Sequence, residues 1–411
     1  MWNTQITQRF MTFTLFVSLT CFVAAGTPHA KNHAPEATAA EAELSFWDVP
    51  QLEKGFIDTA PPARKDGLPV GRLGVDGGDK HKINALAEEI SAGKRGKFDS
   101  LLIAHEGKLL FESYYLRGRI NLPHPQASTA KAYTSLVLGR AIQLGHLTMA
   151  DLDKPLVSIL KDLDPSKFVA GAQNITLHKA LTMRGGIKIT EEQRKAFKDI
   201  PDQIKGQGMV QTLLEQSKPI AAADQHFDYG NYNPNLIMQV VDAVVPGSAE
   251  DFIKTELLDK LGITNYQWHR APSGLPESGW RVSKTTRDMV KWGTLVMNDG
   301  QWQGEQLISK AYIQRVVKPV IPLTHEQAGN FFDITEQVTN PGYGYFWWHA
   351  DLKVGNKTYT TVSAQGGGCQ FIILVKELDL MVVLTAHDNS IGPLQVTAER
   401  IIPAFTQQKI N

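Results

Sequence analysis

Residues 124–147 read HPQASTAKAYTSLVLGRAIQLGHL. A Pro-containing loop leads into a helical pattern in which Tyr133, Leu136, Val137, Ala141 and Leu144 fall near one buried stripe, closed by Gly145. At its head stand Ser128 and Lys131, three residues apart and so on one helical face. Two readings compete for this pair. Ser128 is a nucleophile with Lys131 as its base, or Ser128 caps the helix and Lys131 is a solvated first-turn residue.

Spacing alone does not choose, because Ser-x-x-Lys occurs three times: Ser91/Lys94, Ser128/Lys131 and Ser158/Lys161. Ser91 sits in the glycine-broken turn SAGKRGK and Ser158 in the short PLVSILKDLDP. Only Ser128 precedes a long helix with an apolar stripe. There the free N–H groups and the positive end of the helix dipole favour developing negative charge. Embedding such a helix strips water from the lysine, lowers its pKa and frees it to act as a base.

Two later stretches add polar groups. In DQHFDYGNYNPN, Tyr229 is the only one of ten tyrosines followed two residues on by Asn, here Asn231. A phenol beside a lysine cation ionises more easily and relays a proton, and the amide is suited to holding the lysine or a substrate carbonyl. The alternative is a polar turn ahead of a helix. In TVSAQGGGCQFIILV, Gln365, Gly366, Gly367 and Gly368 lie between two β-rich runs. Glycine there permits close backbone approach, and an edge N–H joins that of Ser128 as an oxyanion hole; the alternative is a tight hairpin.

The surrounding chain is organised around these stretches. Its 42 basic and 42 acidic residues balance, which leaves no electrostatic footprint for nucleic acid and suits a small-molecule partner. MWNTQITQRF, an apolar run and the small residues AAG follow the order of a secretory signal, so residues 1–26 are expected to be cleaved near Gly26 on export to the periplasm or medium. No stable membrane span then remains, and of two cysteines only Cys369 survives, excluding an internal disulfide and a cysteine zinc site. Residues 27–70 read as linker and N-terminal extension, KINALAEEISAGKRGK as a helix, and SLLIAHEGKLLFESYYL as a hairpin. The middle is helical, and TYTTVSAQ, CQFIILVK and LMVVLTAH form a meander before a last helix. A sheet assembled from both chain ends around a helical insertion is thus predicted.

Serine-lysine at a helix start, then Tyr-x-Asn, then a Gly-rich strand: in this order the chain resembles the serine β-lactamase-like hydrolases on the class C side, with penicillin-binding carboxypeptidases, esterases and nylon-oligomer hydrolases among them. The resemblance spans about residues 70–405 and extends to ITLHKALTMRGGI, TTRDMVKWGTLVMNDGQW and YGYFWWHA. It implies an α+β, β-lactamase/transpeptidase-like fold within 71–411, with a mixed lobe over 71–127 and 300–411 and a helical lobe over 128–299. It implies Ser128 as nucleophile, Lys131 and Tyr229 as base and proton relay, Asn231 and residues 365–368 as substrate-binding groups, and no metal or cofactor.

One departure bears on substrate. Penicillin-recognising relatives carry Lys or His in the third motif, whereas SAQGGGCQF has no basic residue. Losing that cation removes roughly 1.5–3 kcal/mol of charge-assisted contact with an anionic substrate. The expectation is therefore an ester- or amide-cleaving serine hydrolase. The alternatives are a catalytically silent sensor or scaffold, a true β-lactamase or a D-alanyl-D-alanine carboxypeptidase. A Ser-His-Asp site is disfavoured because no Gly-x-Ser-x-Gly occurs, and His226, His349 and His387 read as packing or surface residues.

Overall fold

The computed structural model describes residues 33–406 apart from Asn330 and Asp333, so the expected signal segment lies outside the described residues. Residues from Ala34 onward form one compact unit. Its centre is a nine-stranded antiparallel sheet of β1 (Phe56–Asp58), β2 (Phe98–His105), β3 (Lys108–Tyr114), β4 (Ile321–Pro322), β5 (Val338–Gly344), β6 (Trp347–Val354), β7 (Lys357–Gly366), β8 (Gln370–Val375) and β9 (Leu380–Ala386). The spatial order is β1-β3-β2-β9-β8-β7-β6-β5-β4. The N-terminal hairpin is thereby zipped to the C-terminal meander through β2 and β9, with Val382 opposite Ile103.

Every residue of β8 and β9 is buried, which explains why these strands read as unbroken apolar runs and not as alternating ones. Helices cover the sheet: α1 (Lys80–Ser91), α2 (Thr129–Gln143), α3 (Tyr232–Val244), α4 (Thr286–Met297) and a C-terminal helix, α5, over residues 393–406. α4 packs on β2, β8 and β9, while α1 packs against α5. α2 bridges the two lobes, touching both α3 and β7. It is buried from Thr129 to Ile142, so no solvent face remains for its polar residues.

Three differences from the sequence reading have physical causes. Part of the 27–70 extension is sheet: Phe56–Asp58 pairs with Glu112–Tyr114 and covers that edge. β5 and β6 extend the meander by two strands that the Gly- and Trp-rich YGYFWWHA disguises. The helical lobe also contains a small sheet, in which Val282–Lys284 pairs with His124–Pro125 and Tyr266–Trp268. That sheet anchors the loop leading to Ser128.

Candidate active site

Ser128 sits at the start of α2 with backbone angles φ −70° and ψ −7°, and its hydroxyl makes no capping bond. The turn before it is held from several directions. Gln126 is fully buried; its N–H donates to Val282 O at 2.8 Å, its side-chain amide donates to His124 O at 2.9 Å, and Tyr133 O–H donates to its Oε1 at 2.8 Å. Ala127 takes a left-handed conformation, φ +46°, which a non-glycine residue adopts only where its surroundings impose it. The serine is thus presented on a braced turn.

Lys131 Nζ lies 3.0 Å from Ser128 Oγ and donates to Gly279 O, also at 3.0 Å. The side chain is 2% exposed, and burial pushes its amine down to about 7 against the opposing pull of Glu277. An amine near 7 is substantially neutral at physiological pH and accepts the serine proton. The other two Ser-x-x-Lys pairs lack this geometry: Lys161 Nζ donates to the exposed backbone carbonyl of Ser158, and Ser91 and Lys94 flank the left-handed Gly93.

Tyr229 faces the same hydroxyl. Burial raises its phenol to about 12, opposed by a hydrogen bond with Ser128. The easier ionisation expected beside a lysine cation is not what this environment gives. Lys131 Nζ lies over the ring face, 4.9 Å from its centroid, and its own burial favours the neutral amine. Tyr229 is therefore a protonated donor near neutrality.

Asn231 stands at the N-terminus of α3 without a side-chain capping bond. A Cβ added to Gly279 would meet Asn231 Oδ1 at 2.7 Å and Lys131 Nζ at 3.6 Å, so the three groups share one small space. The bond that holds the amine, however, is to the Gly279 carbonyl and not to the asparagine amide. Gly279 lies in ESGW, a stretch without a motif, and sequence offered no signal for it.

The glycine run divides into distinct roles. A Cβ on Gly366 would fall 2.3 Å from Gln126 O and 2.9 Å from Thr129 Oγ1, so only glycine lets β7 lie against the serine turn. Gly367 lines the cavity with open space around it. The N–H groups of Ser128 and Gly367 have no acceptor among the described residues. Gly368, by contrast, donates its N–H to Asn389 Oδ1 at 2.7 Å and is withdrawn from the role expected for it. Gln365 lines the cavity and donates its amide to Ser363 Oγ at 2.8 Å. Buried Cys369 adopts φ +68° beside them.

The cavity holds about 450 Å³ and is walled by Tyr229, Phe331, Phe332, Trp348 and Phe371. Trp348 is the hub, with ring centroids 4.7 Å from Phe331 and 5.2 Å from Tyr229. Among the described residues its lining contains no Lys, Arg, His, Asp or Glu. None of the three histidines considered from sequence lines it: His226 is exposed, His349 is buried in the sheet, and His387 Nδ1 donates to the Asp99 carboxylate, Oδ2, at 2.8 Å.

No curated protein matches significantly. Among solved structures, a Bacillus anthracis protein described as a 6-aminohexanoate-dimer hydrolase is 16% identical with a TM-score of 0.56, over 82% of this chain and 84% of that one. A class C beta-lactamase is 15% identical with a TM-score of 0.57, over 80% of this chain and 97% of that one. An octameric penicillin-binding protein homologue from Pyrococcus abyssi is 16% identical with a TM-score of 0.54, over 77% of this chain and 76% of that one. At such identities the likeness is one of fold. The Beta-lactamase family profile, however, matches residues 83–404, and on that span the chain belongs to the beta-lactamase family of serine hydrolases.

Proposed function

We propose that the protein cleaves an ester or amide through an acyl-enzyme on Ser128. The observation that carries this reading is the 3.0 Å contact between Ser128 Oγ and a buried Lys131 amine poised near 7. Ser128 Oγ attacks the carbonyl carbon as Lys131 Nζ takes its proton. The negative charge formed on the carbonyl oxygen is received by the N–H groups of Ser128 and Gly367, a stabilisation worth about 3 kcal/mol per donor. Tyr229 O–H gives its proton to the departing oxygen or nitrogen and regains one from the Lys131 ammonium. Water then attacks the acyl carbon, releasing the acid and restoring the Ser128 hydroxyl. Asn231, beside the amine, is assigned to orienting the substrate.

Preference for esters and linear amides over β-lactams rests on the lining of this cavity, which among the described residues holds no cation to meet the carboxylate of a β-lactam seated there. The same proposal makes the enzyme an exported one, on the order of charges and apolar residues in 1–26. Intact-mass measurement after treatment with an activated aryl phosphonate tests the core of it. A stable adduct on the wild type, absent from Ser128→Ala, is expected; no adduct and no turnover of any ester would leave a silent binding module. Rapid turnover of a cephalosporin, compared with short-chain esters and a linear amide, would overturn the substrate assignment.

A further inference from the structure

The turn carrying Ser128 is a ridge with a hollow on each side. On one side Gln126 O faces Gly366 and the uncharged cavity; on the other, Gln126 N–H is bonded to Val282, in the wall of a second groove of about 500 Å³. Ala127, next to the nucleophile, lines that groove, as does Trp280, next to the glycine that holds Lys131. The two hollows therefore share the turn that presents Ser128.

The groove differs from the cavity in surface and charge. Six large apolar side chains are exposed among the described residues, and three of them, Leu44, Trp47 and Trp280, converge here. Among the described residues its ionisable lining consists of Arg281 and His269, with no carboxylate. Arg281 is exposed, in a left-handed conformation at φ +51°, and lies 5.9 Å from the Trp280 ring centroid. It makes no ion pair among the described residues; its charge acts on buried Glu277, opposing the rise that burial gives that carboxyl. A guanidinium stacked on an exposed indole, with its N–H donors free, is a receptor for a planar anion.

We propose that this groove binds the second arm of the substrate, an apolar arm ending in a carboxylate, while the first, neutral arm fills the cavity. This deepens the hydrolase reading and rests on Ser128 being the nucleophile. It also separates the two walls by chemistry: the aromatic cavity excludes charge and the groove selects for it.

The test is a matched pair of aryl-alkyl esters that differ only in a terminal carboxylate or its methyl ester on one arm. Hydrolysis of both, lost in Ser128→Ala, establishes the underlying reading independently. The carboxylate member is expected to show a kcat/KM about three- to tenfold higher at low ionic strength, with the ratio shrinking as salt rises. Arg281→Gln is expected to bring that ratio to about one, while Arg281→Lys retains part of it. Ser128-dependent hydrolysis with no carboxylate preference, or a preference that survives Arg281→Gln, overturns the groove assignment and leaves the hydrolase intact.

Discussion

Lys131 and Lys284 are both buried, and burial brings both amines to about 7, yet their surroundings are opposite. Lys131 has two hydrogen-bond partners at 3.0 Å, one of them the Ser128 hydroxyl. Lys284 has none among the described residues, and stands instead within 5.4 Å of the ring centroids of Tyr133, Tyr266, Trp268 and Trp292. One lysine is placed to move a proton; the other is enclosed.

Activity should therefore follow the protonation of Lys131. Because the neutral amine is the base, kcat/KM for a neutral ester is expected to rise with pH through about 7 and then level. Lys131→Met should lower it by at least about 10³-fold, from the loss of general-base catalysis and of the serine's partner. A pH–rate profile without an inflection near 7 would remove Lys131 from the role of base.

Tyr229→Phe separates the relay from the base. Its phenol, held near 12, does not titrate in the working range, so the inflection near 7 should remain while kcat falls roughly 10²-fold. The ring contacts to Trp348 and Phe331 persist in phenylalanine, so KM should change little. A large KM effect with kcat preserved would make the residue a binding group only.

The glycines give a steric contrast. Gly366→Ala forces β7 away from the Gln126 carbonyl and should abolish activity, with a stability loss of roughly 1–3 kcal/mol measured by denaturant. Gly367→Ala meets no neighbour within 4 Å and should fold normally. Gly367→Pro removes the N–H, and about 10²-fold in kcat with it, if that group holds the oxyanion. Equal activity of the alanine and proline variants would assign the oxyanion to another donor.

Lys284 predicts a stability change. In the unfolded chain it is charged below about 10.5, whereas the folded site keeps it neutral down to about 7. Stability is thus lost as pH falls between those values, and the loss is constant below. Lys284→Met, of similar shape, should be stabilising by on the order of 2 kcal/mol at pH 7, since the surrounding rings return part of the cost, and neutral above the lysine's ordinary range. Urea melts at pH 7 and at pH 10.5 check both the sign and the window; destabilisation at pH 7 would mean that the rings more than offset desolvation.

The chain itself determined the helix of Ser128, the hairpin and the three strongest strands, because those rest on local pattern: Leu136, Val137 and Ala141 recur at helical spacing, and FIILV is short, β-branched and preceded by glycines, as a covered strand is. It also ranked Ser128/Lys131 above its two copies, since position before a long apolar helix is a local property. Tertiary structure decided what local order cannot encode. Gly279, far along the chain from Lys131, supplies the carbonyl that holds the amine, and Gly366 reaches the serine turn only through β7. The state of Tyr229 turned on burial by Trp348 and Phe331 more than on its sequence neighbours, and the partner of Gly368 N–H proved to be Asn389. Desolvation and steric fit act between surfaces that meet only after folding, and such quantities have no signature in a single stretch of residues.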